Sequence, residues 1–262
     1  MNLYYELYPE NISNTELVEQ SPMVIIPGLF GSTANWRMLA RKFSESQPVI
    51  VIDQRNHGRS PHADSQSYDD MVADLNELYD SLIITNAILC GHSMGGKVAM
   101  LFSLKYPEKV KKLIVLDIAP TAYNHSHAPF LEELMKVDLS ELKSRSEADR
   151  ALQSAIPDTP TRLFLLQSLR GSPGDYHWRI NLSVLHEYMD QFTSFPLVGN
   201  STSCESLFVA GELSNYLLLE HRAKIIKMFP NTQFENIPNA GHWLHAEQPV
   251  NVFNAVQEFV KK

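Results

Sequence analysis

The sequence predicts an α/β protein with a mostly parallel central sheet, helices on both faces and an inserted group of helices. Short apolar, β-branched runs recur along the chain and are separated by amphipathic stretches. Such alternation of strand and helix is typical of a doubly wound parallel sheet. The alternation stops between about residues 120 and 195 and resumes at Leu207, which indicates an insertion into an otherwise continuous fold.

Each predicted strand is an unbroken apolar run, as expected for a strand that is covered on both faces. The five strands are Met23–Ile26, Val49–Ile52, Ala87–Cys90, Leu113–Leu116 and Leu207–Val209. The predicted helices carry apolar residues on one face, and a proline follows two of them, where it ends a helix. These helices are Trp36–Phe43, Tyr68–Leu82, Lys97–Tyr106 and His221–Phe229.

The insertion is expected to be a helical cap over residues 120–196, while residues 1–119 and 197–262 form the core. Four segments of the cap have the apolar spacing that favours helices. They are Phe130–Met135, Glu147–Ala155, Thr161–Leu169 and Val184–Met189. The Gly171–Gly174 turn interrupts them, and we expect no strand in this part of the chain.

Composition excludes several classes of protein. The 262 residues suffice for one sizeable core with an inserted subdomain, and a net charge of −8 disfavours nucleic acid as a partner. Cys90 and Cys204 lack metal-ligand spacing, so buried reduced thiols are expected. The chain shows neither a secretory signal nor an apolar run long enough to span a membrane. We expect a cytoplasmic monomer or weak homo-oligomer that needs no cofactor and binds neither nucleic acid nor membranes.

The clearest chemical signal is Gly91–Gly96, with the sequence GHSMGG, which follows a predicted strand and opens a predicted helix. The pattern G-x-S-x-G in this context is a nucleophile elbow. Its serine lies on a sharp turn, where side chains at Gly91 and Gly95 would collide with the strand and the helix. The turn raises Ser93 over the carboxyl ends of the strands, where ligands bind. Ser93 is therefore the predicted nucleophile, and a chance match in a loop is the alternative.

A nucleophile of this kind needs backbone N–H donors for the oxyanion. The N–H of Met94, at the start of the helix, is one candidate. The glycine-rich loop Pro27–Gly31 follows the first predicted strand, and the N–H of Leu29 in it is the second candidate. An ordinary turn is the alternative interpretation of this loop.

The general base is expected to be a histidine late in the chain, because proteins with such an elbow run in the order serine, acid, histidine. His242 lies in a loop before the closing helix and fits this order best among ten histidines. His57 comes too early, the elbow turns His92 away from the nucleophile, and His245 is expected to point elsewhere. His242 is therefore the predicted base.

Five segments together resemble a known group of enzymes. They are PGLFGS (27–32), DQRNHGRS (53–60), GHSMGGK (91–97), LDIAP (116–120) and AGHWLHAE (240–247). The combination resembles the YbfF-type esterases of the α/β-hydrolase superfamily, which are related to the mammalian abhydrolase-11 proteins. The resemblance runs from about residue 23 to the end of the chain and is weakest in the cap. It implies the α/β-hydrolase fold and activity on short acyl esters and acyl-CoA thioesters.

The acid departs from the usual pattern of this superfamily. After the last predicted strand, most relatives carry aspartate in a G-x-x-D turn, whereas this chain has Gly211–Ser214, with serine in that place. Asp117 ends the strand next to that of the nucleophile, and a carboxylate there reaches the same histidine nitrogen. The resemblance implies that Asp117 is the acid and that Ser214 is its auxiliary hydrogen-bond partner. Glu212 is the competing candidate.

A polar loop that is typical of this fold follows the second predicted strand. Asp53, Arg55, Asn56 and His57 belong to it. We expect these residues to hold the oxyanion loop through local hydrogen bonds rather than to take part in the chemistry.

The cap supplies candidates for substrate contacts. Its large apolar side chains are expected to form mostly the cap's own core, with a few facing an acyl site; they are Phe130, Phe164, Leu165, Leu166, Trp178, Tyr188, Met189 and Phe192. Four basic residues are expected mainly as solvated surface charge, and the alternative is contact with an acidic substrate tail such as the phosphates of acyl-CoA. They are Arg162, Arg170, His177 and Arg179.

The sequence therefore predicts a serine hydrolase that cleaves short-chain carboxylic esters, with acyl-CoA thioesters as a further class, through an acyl-enzyme. A hydrolase or lyase acting on carbon–carbon bonds with the same scaffold is the alternative among enzymes. The alternative outside enzymes is a non-catalytic binding protein. We disfavour it because a binding protein has no need to keep the nucleophile, the base, the acid and both oxyanion loops together.

Overall fold

The computed structural model describes residues 1–196 and 199–262. The strands within these ranges are β1 Tyr5–Tyr8, β2 Met23–Ile26, β3 Val49–Ile52, β4 Ala87–His92, β5 Val110–Leu116, β6 Leu169–Arg170, β7 His177–Trp178, β8 Glu205–Gly211 and β9 Thr232–Ile237. Seven of them form one sheet in the order β1-β3-β2-β4-β5-β8-β9. Its strands run parallel except for β1, which is antiparallel to β3. The predicted mostly parallel sheet is confirmed.

Helices cover both faces of this sheet. Those in the described residues are α1 Asn14–Glu19, α2 Thr33–Phe43, α3 Tyr68–Ser81, α4 Met94–Lys105, α5 Ala128–Met135, α6 Arg145–Leu152, α7 Thr159–Leu166, α8 Leu182–Glu187, α9 Met189–Thr193, α10 Arg222–Met228, α11 Leu244–Glu247 and α12 Pro249–Lys261. None of them is long and apolar enough to cross a membrane.

Two apolar clusters lie on opposite faces of the sheet. Successive residues of β2 alternate between them, because side chains of a strand point to opposite faces. Met23 and Ile25 pack with α2 and α12, whereas Val24 and Ile26 pack with α3 and α4. All four residues are fully buried, which explains why the strand has no polar face in its sequence.

The strands that the sequence analysis missed are the two at the edges of the sheet. β1 has the sequence YELY, and β9 has the sequence TQFENI with several exposed side chains. An edge strand is covered less than a central one and keeps polar residues, so it lacks the apolar run that marks a buried strand.

The expectation of two buried thiols also needs correction, since Cys90 is buried and free but Cys204 is only half-buried.

Residues 120–196, here called the cap segment, lie between β5 and β8 in the chain. They contain α5 to α8, which correspond to the four predicted helices, and also α9 and the antiparallel hairpin of β6 and β7. The expectation that this part holds no strand is therefore wrong. Two-residue strands are too short to show a pattern, and the Gly171–Gly174 turn between them, with a φ of +99° at Gly171, was their one visible sign. The predicted return to the core at residue 197 lies outside the described residues.

Buried hydrogen bonds attach the cap segment to the core. Nζ of Lys97 in α4 donates to the carbonyl oxygen of Phe192 at 3.0 Å, and the hydroxyl of Tyr68 in α3 donates to the same oxygen at 3.1 Å. The N–H of Asn181 donates to the carbonyl oxygen of Asn56 at 3.0 Å. These contacts hold the end of α9 against α3 and α4, and the start of α8 against the loop after β3.

The ion pair between Arg55 and Asp74 should stabilise the core. Nε and Nη2 of Arg55 lie 2.6 Å and 2.8 Å from the two oxygens of Asp74, and the two side chains are only 9% and 2% exposed. Arg55→Met removes both guanidinium hydrogen bonds from this buried carboxylate and leaves it only the N-terminal ammonium of Met1, 3.1 Å from Oδ1, as an ion-pair partner among the described residues. We therefore expect the free energy of unfolding to fall by about 3 kcal/mol. Urea denaturation measures this change.

The matched control is Lys136→Met, which removes an exposed ion pair with Glu133. Exposed pairs contribute at most about 1 kcal/mol, so this variant should stay close to the parent protein. Equal losses in the two variants would contradict the assignment of a stabilising role to the Arg55–Asp74 pair.

Candidate active site

Ser93 lies on the tight turn between β4 and α4. Its backbone has φ 53° and ψ −122°, a region that a residue with a side chain seldom adopts. A Cβ atom at Gly91 would lie 2.3 Å from the carbonyl oxygen of Gly95, and one at Gly95 would lie 2.3 Å from that of Ile26. Both positions therefore require glycine, for the steric reason that the sequence pattern suggests.

Three side chains from distant parts of the chain form one line of hydrogen bonds. Nε2 of His242 lies 2.9 Å from Oγ of Ser93, and its Nδ1 lies 2.8 Å from Oδ2 of Asp117. Both distances suit a nucleophile, a base and an orienting acid. Ser93 is 8% exposed while Asp117 is fully buried. A ligand can therefore reach these three side chains at Ser93 and not at Asp117.

Asp117 is positioned by the end of β5. Its backbone also has a positive φ, 51°, and its N–H donates to the carbonyl oxygen of Val209 in β8 at 2.8 Å. The N–H of Gly211 donates to Oδ1 at 3.0 Å, and the hydroxyl of Ser214 donates to Oδ2. The turn after β8 thus supplies donors to this carboxylate instead of a carboxylate of its own.

Burial acts on both ionisable groups of the line. It raises the pKa of the Asp117 carboxyl, and the hydrogen bonds from Ser214 and Gly211 oppose that rise. Burial lowers the pKa of His242 and favours its neutral imidazole. When Nδ1 carries the single proton, the Asp117 carboxylate accepts three hydrogen bonds and Nε2 is free to take a proton from Ser93.

Glu212, the competing candidate for the acid, points away from the site. Its side chain is exposed, and its Oε2 accepts a hydrogen bond from the N–H of Asn239 at 2.8 Å. The carboxylate that contacts His242 is that of Asp117. The geometry thus agrees with the predicted acid, although its role in the reaction stays a prediction.

Two backbone N–H groups beside Ser93 lack a partner. Within residues 1–196 and 199–262, neither Leu29 nor Met94 donates its N–H to another protein atom. Leu29 lies in the loop after β2, Met94 is the first residue of α4, and both line a cleft at Ser93. Free donors in these two places are what an oxyanion requires. Leu29 and Met94 remain the predicted oxyanion donors.

The loop after β3 supports the oxyanion loop through Asp53 and its neighbour. Oδ1 of Asp53 accepts a hydrogen bond from the N–H of Thr33 at 2.6 Å, directly after the oxyanion loop. Nε2 of Gln54 donates to the carbonyl oxygen of Pro27 at 2.9 Å. Gln54 was not singled out in the sequence, because a glutamine in a polar loop carries no signal of its partner.

The remaining residues of that loop act elsewhere, so their predicted contact with the oxyanion loop is wrong. Arg55 pairs with α3, as described above. Nδ2 of Asn56 donates to Oε1 of Gln66 at 2.8 Å. Nδ1 of the buried His57 lies 2.9 Å from the carbonyl oxygen of Arg55. Local hydrogen bonding was the correct expectation, but a polar residue type does not specify which neighbour it meets.

Two other histidines pack beside the site. Nε2 of His92 lies 2.8 Å from the carbonyl oxygen of His242, and the rings of His92 and His245 are 4.5 Å apart. His245 stacks on Trp36 at 4.4 Å. Burial lowers the pKa of His92 to about 3, which keeps its ring neutral. His92 therefore supports the backbone of the predicted base rather than the nucleophile.

Two residues at the site had no signal in the sequence. The ring of Tyr216 stacks on that of His242 at 3.8 Å, and its hydroxyl lies 3.1 Å from Nε2 of His127. Burial lowers the pKa of His127 to about 4, so the neutral ring can accept that proton. Tyr216 and His127 come from loops without a motif, and the fold alone brings them to His242.

Two narrow clefts meet at Ser93. Cleft A has a volume of about 30 Å³, and its lining includes Lys97, Tyr123, Met189, Phe192 and Tyr216. Cleft B has a volume of about 20 Å³, and its lining includes Phe30, Phe130, Thr161, Leu165 and Trp243. Leu29, Ser93 and His127 line both. Of the apolar cap residues singled out above, four thus face the site: Phe130, Leu165, Met189 and Phe192.

Proteins of similar sequence and structure are known. Residues 21–249 match the model of a family described as alpha/beta hydrolase fold. The chain is 37% identical to the sn-1-specific diacylglycerol lipase of Mus musculus, over 91% of this chain and 80% of the relative. It is 32% identical to the esterase YbfF of Escherichia coli (strain K12), over 92% of this chain and 93% of the relative. A solved structure of a marine microorganism esterase superposes with a TM-score of 0.92 at 37% identity and covers 99% of both chains.

The fold and the site define an α/β protein with a serine at a nucleophile elbow. The chain belongs to the α/β-hydrolase fold family, and it is a hydrolytic enzyme. The resemblance to YbfF-type esterases that the five sequence segments indicate is confirmed by these relatives. The alternative of a non-catalytic binding protein is removed.

The assignment of the acid can be tested by two amide substitutions. Asp117→Asn keeps the shape of the side chain but presents a donor to Nδ1 of His242, which favours the wrong tautomer. We therefore expect kcat/KM for p-nitrophenyl butyrate to fall by about 10⁴. Glu212→Gln is the matched control and should change kcat/KM by less than about threefold, since a surface carboxylate is altered. A larger loss in Glu212→Gln than in Asp117→Asn would reverse the assignment.

The pH dependence should reflect the burial of His242. The base must be neutral to accept a proton, and burial lowers its pKa below the ordinary value of 6.5. Activity is therefore expected to be complete above that value and to be lost only as the pH falls through the lowered pKa. A profile of kcat/KM against pH measures the acid limb. A limb centred near or above pH 7 would contradict this expectation and would be assigned to the Asp117 carboxyl, whose pKa burial raises to about 7.

Proposed function

We propose that the protein is a serine esterase that cleaves short-chain carboxylic esters through an acyl-enzyme. The observation that carries the proposal is the line of hydrogen bonds from Ser93 through His242 to Asp117, next to two free N–H donors. The similarity to proteins named esterases and lipases supports the same class of substrate. Acyl-CoA thioesters form a further substrate class, because the same steps break a carbon–sulfur bond.

The first half of the reaction transfers the acyl group to the enzyme. Oγ of Ser93 attacks the carbonyl carbon while its proton passes to Nε2 of His242. The carbonyl oxygen becomes an oxyanion, and the N–H groups of Leu29 and Met94 stabilise it. Asp117 stabilises the imidazolium that forms. The tetrahedral intermediate then collapses, and the leaving oxygen or sulfur departs with the proton from Nε2.

The second half of the reaction releases the acid. A water molecule takes the place of the leaving group and gives a proton to Nε2 of His242 as its oxygen attacks the acyl carbon. The second tetrahedral intermediate uses the same oxyanion donors. Its collapse breaks the bond to Oγ of Ser93, which recovers its proton from Nε2. Ser214 acts on neither substrate nor water and serves by holding the Asp117 carboxylate.

The two clefts suit the two parts of an ester. We propose that the cap segment is a domain inserted into the core of residues 1–119 and 197–262, and that it closes over Ser93. Cleft A is the proposed acyl site, since it lies on the side of α4 and is lined by apolar cap residues. Cleft B then receives the leaving group. Their small size favours short acyl chains.

The nucleophile is tested directly by Ser93→Ala. This variant should fold normally and lose all measurable turnover of p-nitrophenyl acetate and butyrate, because Oγ of Ser93 is the hydroxyl that contacts Nε2 of His242 among the described residues. A fluorophosphonate should label the parent protein stoichiometrically and leave the variant unlabelled. Full activity in Ser93→Ala would end the proposal. Turnover of a diketone without turnover of any simple ester would favour the carbon–carbon hydrolase instead.

The identity of the acyl cleft can be tested by enlarging each cleft separately. Met189→Ala removes a buried side chain from cleft A, and Leu165→Ala removes one from cleft B. If cleft A holds the acyl group, Met189→Ala should shift the optimum of a p-nitrophenyl ester series to chains about two to three carbons longer. Leu165→Ala should leave that optimum in place. The opposite pattern would exchange the roles of the two clefts.

A further inference from the structure

A cavity of about 150 Å³ lies next to the active-site clefts, between the core and the cap segment. Phe30, in the oxyanion loop, lines both this cavity and cleft B. Its side chain therefore lies between the cavity and the space beside Ser93. The proposed reaction makes no use of this cavity.

Four guanidinium groups line the cavity, and they come from two parts of the chain. Arg37 and Arg59 belong to the core, and Arg170 and Arg179 belong to the hairpin region of the cap segment. Among the described residues, neither Arg170 nor Arg179 takes part in an ion pair. Arg37 and Arg59 share one partner, Glu6, at 2.9 Å and 3.9 Å.

The positive charges in this cavity are poorly compensated. Burial and the neighbouring charge of Arg179 lower the pKa of Arg170, with further contributions from Arg145, Arg59 and Arg37. Arginine side chains that line one cavity repel one another unless an anion lies between them. On a chain with a net charge of −8, such a concentration of arginine in one cavity is the arrangement of an anion site.

Asp53 is the acidic residue among the described lining residues of the cavity. Among the described residues it forms no ion pair with the arginine side chains, and its single charge offsets only one of the four. Oδ1 accepts from Thr33 at 2.6 Å, and Oδ2 accepts from the N–H of Arg59 at 2.8 Å. The first turn of α2 also lines the cavity, and the N-terminus of this 11-residue helix favours negative charge there.

We propose that this cavity binds a phosphoryl group that is carried by the leaving part of the substrate. The planar guanidinium groups offer paired N–H donors that match phosphate oxygens. Phe30 lies between the cavity and cleft B, the proposed place of the leaving group, so a substrate can extend from one to the other when this side chain moves aside. This inference rests on the proposed function for the position of the substrate, while the binding of the anion does not depend on catalysis.

The other basic residues of the cap segment do not belong to this site. Arg162, which the sequence analysis grouped with Arg170 and Arg179, is buried, and its Nε lies 2.5 Å from Asp149. His177 is exposed and lies outside the lining. The expectation of solvated surface charge is thus wrong for Arg162, and the fold separates two structural or exposed groups from the two that face the cavity.

A binding experiment tests the anion site without turnover. Inorganic pyrophosphate is titrated into Ser93→Ala protein and the heat is measured. The double change Arg170→Gln and Arg179→Gln in the same background should weaken binding at least tenfold, because two charged donors are lost. Arg150→Gln, which removes an exposed arginine of α6, is the matched control and should leave binding unchanged. No binding to the parent, or equal binding to all three proteins, would overturn the proposal.

A kinetic experiment tests whether the anion belongs to the substrate. The butyryl thioesters of pantetheine and phosphopantetheine differ by one phosphoryl group and share the reacting atoms. We expect the double variant to lower kcat/KM for the phosphorylated thioester about tenfold, chiefly through KM, and to leave the other thioester unchanged.

The outcomes of this second experiment separate the possible failures. Equal losses on both thioesters would show a structural effect of the arginines and overturn the inference. Pyrophosphate binding without any preference for the phosphorylated thioester would assign the cavity to a free anion and overturn the substrate part. Full ester hydrolysis in Ser93→Ala would contradict the proposed function, while the titration would still decide the anion site.

Discussion

The hydrogen bond between Asp117 and His242 is the contact on which the rest of the candidate site depends. A fully buried carboxylate favours its protonated form unless donors compensate for the lost water. Here Gly211 and Ser214 supply two donors, and Nδ1 of His242 supplies the third. The same bond fixes the tautomer and the orientation of the imidazole, so that Nε2 meets Ser93. Without this hydrogen bond, Nδ1 would lose the contact that orients the imidazole ring towards the nucleophile.

The backbone is strained at both strand ends that carry these groups. Ser93 follows β4 and Asp117 follows β5, and both have a positive φ. Neighbouring parallel strands end at the same edge of the sheet, so turns of this kind aim both side chains at one point. Strained residues persist only where the surrounding packing determines their conformation. The close contacts at Gly91 and Gly95 show how little freedom that packing leaves.

Residues of the cap segment line the spaces at this edge of the sheet. They contribute to two small clefts at Ser93 and to a third, basic cavity that core residues also line. The attachment of the cap segment relies on polar contacts, such as the one from Lys97 to the end of α9, rather than on strands of the main sheet. Substrate selection can therefore change through cap residues such as Met189 and Leu165 while the sheet and the hydrogen-bonded line stay as they are.

The sequence by itself determined the parallel sheet, the elbow at Ser93 and the candidate base and acid. Buried strands are apolar throughout, and a sharp turn needs glycine. Serine stands at position 214 where relatives carry aspartate, and this difference indicated Asp117 as the acid. Each of these is a local structural requirement that produces a recognisable local sequence pattern. Only the tertiary structure placed Tyr216 and His127 at the imidazole, paired Arg162 with Asp149, and gathered four arginines around one cavity. The type of a residue limits the contacts that its side chain can form. The partner in each contact comes from a distant segment of the chain, and only folding brings the two segments together.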